Sequence, residues 1–372
     1  MPSSGEQLYS RSISVRLIDQ RDRHQVRRAR QGAEAMLERA VGADLTDDRF
    51  RPFERADPDV AMVVAEVLGG ERDDETLVVG FAVAEAGGGR LQVDVMTDGK
   101  FLLEPMSDGG DHDPTRSLAD GSHVRGHDRY LAPAAALGRE LVEAAVDGFA
   151  RQVPRSWPGL QLEVWGRPVQ PWHEAMGAGL GLEVQRSLHQ MRCPLPLPEA
   201  SFHPVPTRDL DPVLDPPRLL QVNNRAFAFH PDQGDQRLED LESAFTKDGF
   251  DPASVRVVDA PVGDPRAADH PMAGFCWTKI HPEIPGRPLL GEIYVIAVDP
   301  DFHGEGLGTG LTVAGLEWLH RQGPAVGMLY VESDNKPAVA TYRKLGFAEH
   351  STYSAWRRPK PVGTEGEATD VR

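Results

Sequence analysis

Glycines crowd the stretch His303-Gly-Glu-Gly-Leu-Gly-Thr-Gly310, where a strand-like run gives way to a helical one. The run before it, Glu292-Ile-Tyr-Val-Ile-Ala-Val298, is rich in β-branched residues and reads as a buried strand that breaks at Asp299-Pro300. Residues 311–321 then repeat apolar positions at helical spacing. A strand, a glycine turn and a helix N-terminus together bind anions, because unpartnered amide N–H groups point outward and the helix dipole adds partial positive charge. A phosphorylated ligand is expected there. No Gly-x-x-x-x-Gly-Lys-Ser/Thr of a nucleoside-triphosphate loop is present, and Gly304, Gly306 and Gly308 lack the Gly-x-Gly-x-x-Gly spacing of a dinucleotide fold. Taken alone, the turn could be an ordinary strand-to-helix connection.

The spacing His303-Gly-Glu-Gly306-Leu-Gly308 after Val298-Asp-Pro300 resembles the pyrophosphate loop of the GNAT superfamily of N-acetyltransferases, Gln/Arg-x-x-Gly-x-Gly/Ala. His303 replaces the usual Gln or Arg, a mild departure where backbone amides supply most of the grip. Further on, Asn335-Lys-Pro-Ala-Val-Ala-Thr-Tyr-Arg-Lys-Leu-Gly-Phe347 is similar to the superfamily's second signature, Asn-x-x-Ala-x-x-x-Tyr-x-x-x-Gly-Phe. The resemblance implies transfer of an acetyl group from acetyl-CoA to an amine. That reaction needs a base for the amine, donors for the carbonyl oxygen as it becomes an oxyanion, and a proton for the departing thiolate. Glu292, opening the strand beside the glycine turn, is the candidate base, directly or through a water. Without that context it would be a solvated strand-edge residue. Tyr342, a phenol of ordinary pKa near ~10, is the candidate acid; its plain alternative is a half-buried aromatic with a wet hydroxyl. Tyr330 competes for the same role, and pattern alone does not separate the two. The break at Asp299-Pro300 is expected to free backbone amides of residues 296–298 to polarise the thioester.

Two series of elements could position these groups. Strand-like runs at 14–17, 60–67, 76–84, 91–96, 160–165 and 182–193 accompany helical stretches at 22–40, 133–152 and 172–179. A Pro-rich run, Cys193-Pro-Leu-Pro-Leu-Pro, follows and suits a semi-rigid spacer. The second series has helices at 217–225, 236–248, from 308, and 336–345, with strands at 254–260, 273–280, 291–298, 327–332 and 350–357. The two series end alike: Leu160-Gln-Leu-Glu-Val-Trp then Trp172-His-Glu-Ala-Met-Gly parallels Met328-Leu-Tyr-Val-Glu then Ala338-Val-Ala-Thr-Tyr-Arg. A repeat of domain-sized period means two copies of one fold. With the resemblance, the expected class is α/β of the α+β kind: two tandem GNAT domains, each a mixed, mostly antiparallel sheet flanked by helices. A degenerate N-terminal domain spans 11–195, a linker 196–204, a catalytic domain 205–358 and a disordered tail 359–372. The first copy lacks a glycine loop and carries Gly177 where the second has Tyr342, so it is expected to bind acetyl-CoA weakly or not at all and to wall the substrate cleft.

The chain of 372 residues carries 57 acidic and 40 basic side chains, a net charge of -17. Nucleic acids and anionic membranes, which are held mainly by Lys and Arg, are thereby disfavoured as partners. An anionic donor must instead be gripped locally by oriented amides. Cys193 and Cys276 sit in apolar runs outside any Cys-x-x-Cys pair and are expected to be reduced, buried and inert. No apolar stretch reaches the ~20 residues of a bilayer span, and the N-terminus lacks a signal core; a cytoplasmic monomer is expected. His112, His123 and His127 beside Asp111 and Asp113 match no metal-ligand spacing and read as a polar loop, so no metal is expected.

Three stretches narrow the resemblance: Asn223-Asn-Arg-Ala-Phe-Ala-Phe-His-Pro-Asp-Gln-Gly234, Gly274-Phe-Cys-Trp-Thr-Lys-Ile-His-Pro282 and Leu329-Tyr-Val-Glu-Ser-Asp-Asn335. Over roughly 215–357 the chain resembles the mycothiol synthase family, whose members acetylate the cysteinyl amine of cysteinyl-glucosaminyl-inositol. Carried over by position, the resemblance implies acetyl-CoA contacts at Ile296, Ala297 and Val298, at His303, Gly304, Glu305, Gly306, Leu307, Gly308 and Thr309, and at Asn335, Lys336, Pro337, Ala338, Val339 and Ala340. It implies substrate contacts at Asp47, Asp232, Lys279, Glu292 and Tyr330. Asp232 is one methylene shorter than the family's usual Glu. On residues alone Lys279 could be a solvated strand-end charge and Asp232 a turn residue. An acetyltransferase for another amine (an aminoglycoside, a polyamine or a protein N-terminus) and a non-catalytic acyl-CoA sensor are the competing readings.

Overall fold

The computed structural model describes residues 13–41, 60–68, 76–98, 124–152, 159–198, 205–228, 236–246, 249–283 and 288–359. Asp47, Asp232, His112 and His123 lie outside them. The chain forms two compact units, one built from residues up to Ser187 together with those from Tyr353 onward, the other from Leu188–Thr352.

In the first unit, β1 (Ile13–Leu17) leads to α1 (Arg23–Val41), β2 (Val60–Leu68), β3 (Thr76–Gly87), β4 (Arg90–Thr97), α2 (Val124–Gln152), β5 (Gln161–Gly166) and α3 (Trp172–Gly179). The strands lie in that order, with β4 and β5 parallel and the other pairs antiparallel. The continuous apolar run of β2 is buried residue by residue, the composition of a strand covered on both faces. A bulge in β3 leaves Val79 out of the ladder, so Val78 and Gly80 turn to opposite faces. A Cβ on Gly32 of α1 would lie 2.5 Å from Val78, and one on Gly80 would lie 2.8 Å from Leu141 of α2. Glycine at these two points lets both helices press against the sheet. Pro133, read from sequence as the first turn of α2, lies inside that helix.

β6 (Glu183–Pro194) runs from the first unit into the second, which continues with β7 (Arg208–Asp209), α4 (Pro216–Ala226), α5 (Leu238–Phe245), β8 (Val255–Asp259), β9 (Met272–Ile280), β10 (Leu290–Val298), α6 (Leu307–Arg321), β11 (Val326–Glu332), α7 (Lys336–Lys344) and β12 (Ala348–Arg357). Its sheet has the order β6-β11-β10-β9-β8-β7. Only β10 and β11 are parallel, joined by the crossover helix that a parallel pair requires. α6 packs on one face, where Leu311, Leu316 and Leu319 are fully buried with Cys276, Ile293 and Leu329; each such leucine contributes about 2 kcal/mol. Phe275, Trp277 and Val295 face the other side and pack with Leu219 and Val222 of α4 and Leu241 and Phe245 of α5. The end of β12 belongs to the first unit, where Ser354–Arg357 pair antiparallel with Glu163–Gly166 of β5. β7, two residues long, has no sequence pattern; its pairing with β8 makes it a strand. Each unit is thus a mixed, mostly antiparallel sheet with flanking helices.

Candidate active site

β10 is where the second unit departs from regular structure. It pairs with β11 from Leu290↔Val326 to Ile293↔Leu329 and no further, although both strands continue. On its other edge it stays paired with β9 to Val298↔Gly274, and the Asp299 N–H still donates to Ala273 O at 2.9 Å. The parting therefore begins at the bulge between Ile293 and Val295, not at Asp299-Pro300 as the sequence suggested. The bulge also reverses the facing of everything beyond it. Gly291 and Ile293 face α6, Val295 and Ala297 the opposite cluster, and Ile296 and Val298 face α6 again. Backbone groups on the β11 side of Tyr294–Val298 thus line a gap between two diverging parallel strands.

Glu292 stands one residue before this gap, buried, on the face away from α6. Its cross-strand partners are Lys279 of β9 and Met328 of β11, so Lys279 shares its face. The Lys279 ammonium lies 2.9 Å from the ring centroid of Tyr294, the bulged residue, whose ring meets Trp277 edge-on at 5.4 Å. By the same alternation Tyr330 stands on this face, its hydroxyl accepting from Gln190 Nε2 at 2.7 Å, and Arg192 donates to Gln190 Oε1 at 2.9 Å. The structure brings Glu292, Lys279 and Tyr330 to one polar face beside the parting. The Glu292 carboxylate has a partner that sequence reasoning missed: His281 Nε2 lies 3.0 Å from Oε2. Period-two counting from Trp277 and Lys279 was the available signal.

The glycine turn follows directly. Gly304 and Gly306 adopt φ of 83° and 79°, the left-handed region that side chains disfavour. Gly306 is the N-cap of α6 and brings no side chain to its first turn, leaving those N–H groups uncapped. A Cβ on Gly308 would meet only Val298 Cγ2, at 4.0 Å, whereas one on Gly310 would lie 2.4 Å from Val205 and one on Gly315 2.6 Å from Cys276. Gly310 and Gly315 admit protein; the space over Gly308 is left open. His303 reaches back to Val298 O at 3.1 Å and closes the turn onto the strand.

An ion-pair network absent from the sequence reading braces the turn. Fully buried Asp299 accepts the Asp301 N–H at 3.0 Å and meets Arg225 Nε at 3.0 Å, while Arg225 also reaches Asp301. His270 lies 3.2 Å from Asp301. Arg266 stacks on Phe302 and binds Asp264, the Asp301 carbonyl and Glu305; it pulls the Asp264 carboxyl down to about 2. Glu305 is therefore engaged by Arg266 at 2.7 Å.

α7 presents the second signature. Asn335 caps it by accepting the Ala338 N–H at 3.2 Å, and Pro337 occupies the first turn. Lys336 Nζ donates to Ser333 O, Ala340 is exposed, and Val339 points into the core. Tyr342 packs against the α6-side cluster, as Ile296 and Val298 do, with its ring 5.8 Å from that of Phe347. It stands on the opposite face of the sheet from Glu292. Burial, and secondarily Cys276, push its phenol up to about 12. Cys193 and Cys276 are free and buried, and burial pushes both thiols up to about 12, in keeping with inert cysteines.

In the first unit the corresponding parallel pair ends where β5 ends, and the place beyond it is filled from within. β4 and β5 pair from Arg90↔Gln161 to Asp94↔Trp165, and fully buried His173 sits just past the last pair. Its Nε2 is 3.3 Å from Val95 O, and a Cβ on Gly166 would lie 2.7 Å from its ring. Trp172 stacks on it at 3.7 Å and Trp356 at 5.5 Å. A Cβ on Gly177 would lie 2.7 Å from Trp356, so the indole fills the room a tyrosine would need there.

The sequence model of the Acetyltransferase (GNAT) family matches residues 220–347, which include the parting, the turn and α7. Mycothiol acetyltransferase of Rhodococcus opacus is 35% identical over 286 residues, covering 74% of this chain and 86% of that one. The chain belongs to the mycothiol acetyltransferase family. Another mycothiol acetyltransferase, from Segniliparus rotundus, is 39% identical over 226 residues, covering 60% of this chain and 79% of its own. Among solved structures, a GCN5-related N-acetyltransferase from Sphaerobacter thermophilus aligns with a TM-score of 0.61 at 18% identity, covering 93% of this chain and 95% of that one. A tandem GNAT protein from the clavulanic acid biosynthesis pathway aligns at 0.52 and 16% identity, over 94% and 99%. These two likenesses show the fold, two GNAT units in tandem. GNAT acetyltransferases use acetyl-CoA, so the chain is an acyltransferase. Among the described residues, no helix is long and apolar enough to cross a membrane.

Proposed function

We propose that this member of the mycothiol acetyltransferase family acetylates the cysteinyl amine of cysteinyl-glucosaminyl-inositol with acetyl-CoA as donor substrate, at the second unit alone. The observation that carries the reading is the parting of β10 from β11 one residue past Glu292, with an open glycine turn on the same strand. The room over Gly308 and the uncapped first turn of α6 fit the pyrophosphate, whose charge needs amide donors in so acidic a chain. The gap fits the extended pantetheine arm, which carries the thioester to the vertex.

There Glu292 takes the proton from the amine as its nitrogen attacks the thioester carbon, a role worth about 10²–10⁴ in rate. Backbone N–H groups along the parted edge of β10 stabilise the oxyanion; a single such donor contributes about 3 kcal/mol. The carbon–sulfur bond then breaks toward Tyr342. A phenol pushed up to about 12 keeps its proton throughout the neutral range, and full transfer to a thiolate of pKa near ~8.5 would be uphill. Tyr342 therefore serves the leaving group as a hydrogen-bond donor, and solvent completes the protonation. Lys279 and Tyr330, beside Glu292, offer a donor and an acceptor to the hydroxyl-rich acceptor substrate, together with Asp47 and Asp232.

The test is thiol release from acetyl-CoA with cysteinyl-glucosaminyl-inositol, an aminoglycoside and a simple cysteine amide offered in parallel. Release far faster with the pseudodisaccharide is expected. Equal rates for all three, or binding of acetyl-CoA without release, would overturn the proposal.

A further inference from the structure

We infer that His281 is a positioning residue for the reaction, holding the Glu292 carboxylate in the orientation that accepts the amine proton. The inference rests on the reading of Glu292 as the base.

His281 extends β9 by one step. Its N–H donates to Leu290 O at 3.0 Å, and Pro282, which has no N–H to give, ends the ladder. Anchored there, the imidazole reaches diagonally to Glu292, bringing Nε2 to 3.0 Å from Oε2. Both side chains are mostly buried, 16% and 10% exposed, so little water competes for the contact. The carboxylate has no other hydrogen bond from a described residue. The charged groups on the same face are Lys279 from β9, directly across, and Arg192 from β6 beyond Met328; the Tyr330 hydroxyl stands on β11.

Glutamate has three side-chain torsions, and an unheld carboxylate would spread over several rotamers. A donor on Oε2 removes that freedom and leaves Oε1 to face the incoming nitrogen. The arrangement suits both ends of the step. Before transfer, an Nε2–H of His281 donates to a carboxylate oxygen. Afterwards the proton is on Oε1, and Oε2, now a carbonyl oxygen, still accepts from the same N–H. The bond survives the reaction without a change of tautomer.

The wild-type chain is assayed first by thiol release at saturating acetyl-CoA and amine. Should it acetylate no amine, the reading of the site fails and the inference goes with it, before any variant is made. With an active chain, H281F is expected to lower kcat roughly tenfold or more, the effect of losing one hydrogen bond to a charged group. The KM for acetyl-CoA should hold. H281Q, whose side-chain amide can donate in place of Nε2, should recover most of the loss. In an E292Q background H281F should remove little more, because its effect runs through the carboxylate. Wild-type kcat in H281F, no recovery in H281Q, or an equal loss with and without Glu292 would each overturn the inference. If H281F melts below the assay temperature, H281A carries the same comparisons.

Discussion

Asp299 and Arg225, 74 residues apart in sequence, meet as an ion pair at the root of the glycine turn, with Nε 3.0 Å from Oδ2. The carboxylate is fully buried, and it also accepts the Asp301 N–H that shapes the turn's first bend. Removing Arg225 would leave the buried Asp299 carboxylate without that counter-charge. Arg225→Ala should lower unfolding stability by about 3 kcal/mol, read from urea denaturation, and raise the KM for acetyl-CoA. Asp301→Ala, at an exposed carboxylate, should lose no more than about 1 kcal/mol. Equal effects from the two would mean that the pair is no brace.

Gly308 and Gly315 separate two uses of glycine on one helix. At Gly308 a methyl would meet no atom of the described residues nearer than 4.0 Å, and at Gly315 it would collide with Cys276 at 2.6 Å. Gly308→Ala should therefore melt at the wild-type temperature or slightly higher, since alanine favours helix, while its KM for acetyl-CoA rises roughly tenfold, about 1.4 kcal/mol of lost binding. Gly315→Ala should do the reverse, lowering the melting temperature by overpacking of about 1–3 kcal/mol. A Gly308→Ala chain with unchanged KM would show that the open room is not where the donor lies.

His173 sits just past the last pair of β4 and β5, wedged beside Val95 and Gly166 and stacked on two indoles. Titration calorimetry should thus find one acetyl-CoA per chain. Two tight sites would show that the ring yields to the ligand and would overturn the single-site reading.

Much of this was legible because the informative patterns are local. The glycine turn and the second signature each fall within about a dozen residues, and runs of apolar and β-branched residues marked β9 and β10 as strands. The repeat announced two similar units before any geometry was available. Three things escaped. The bulge at Tyr294 is invisible in a run of uninterrupted strand formers, so the parting was assigned to Asp299-Pro300 several residues late. Arg225 and Arg266 were not singled out, because Asp299 and Glu305, which they meet, lie far along the chain from them. His281 lies in the stretch Gly274–Pro282 that carries the resemblance, but only the register of β9 on β10 aims it at Glu292.

The exchange of strands between the two halves has a consequence for how the polypeptide can be made or cut. The first unit borders β5 with Ser354–Arg357, which follow the whole second unit in sequence, and the second borders β11 with Leu188–Pro194, which precede the Pro-rich run. During synthesis the first sheet must wait, one strand short, until Ser354–Arg357 have left the ribosome. A gene split at the Pro-rich run would yield two fragments, each with a bare strand edge inviting aggregation, so the halves recognisable as a duplication are no longer separable.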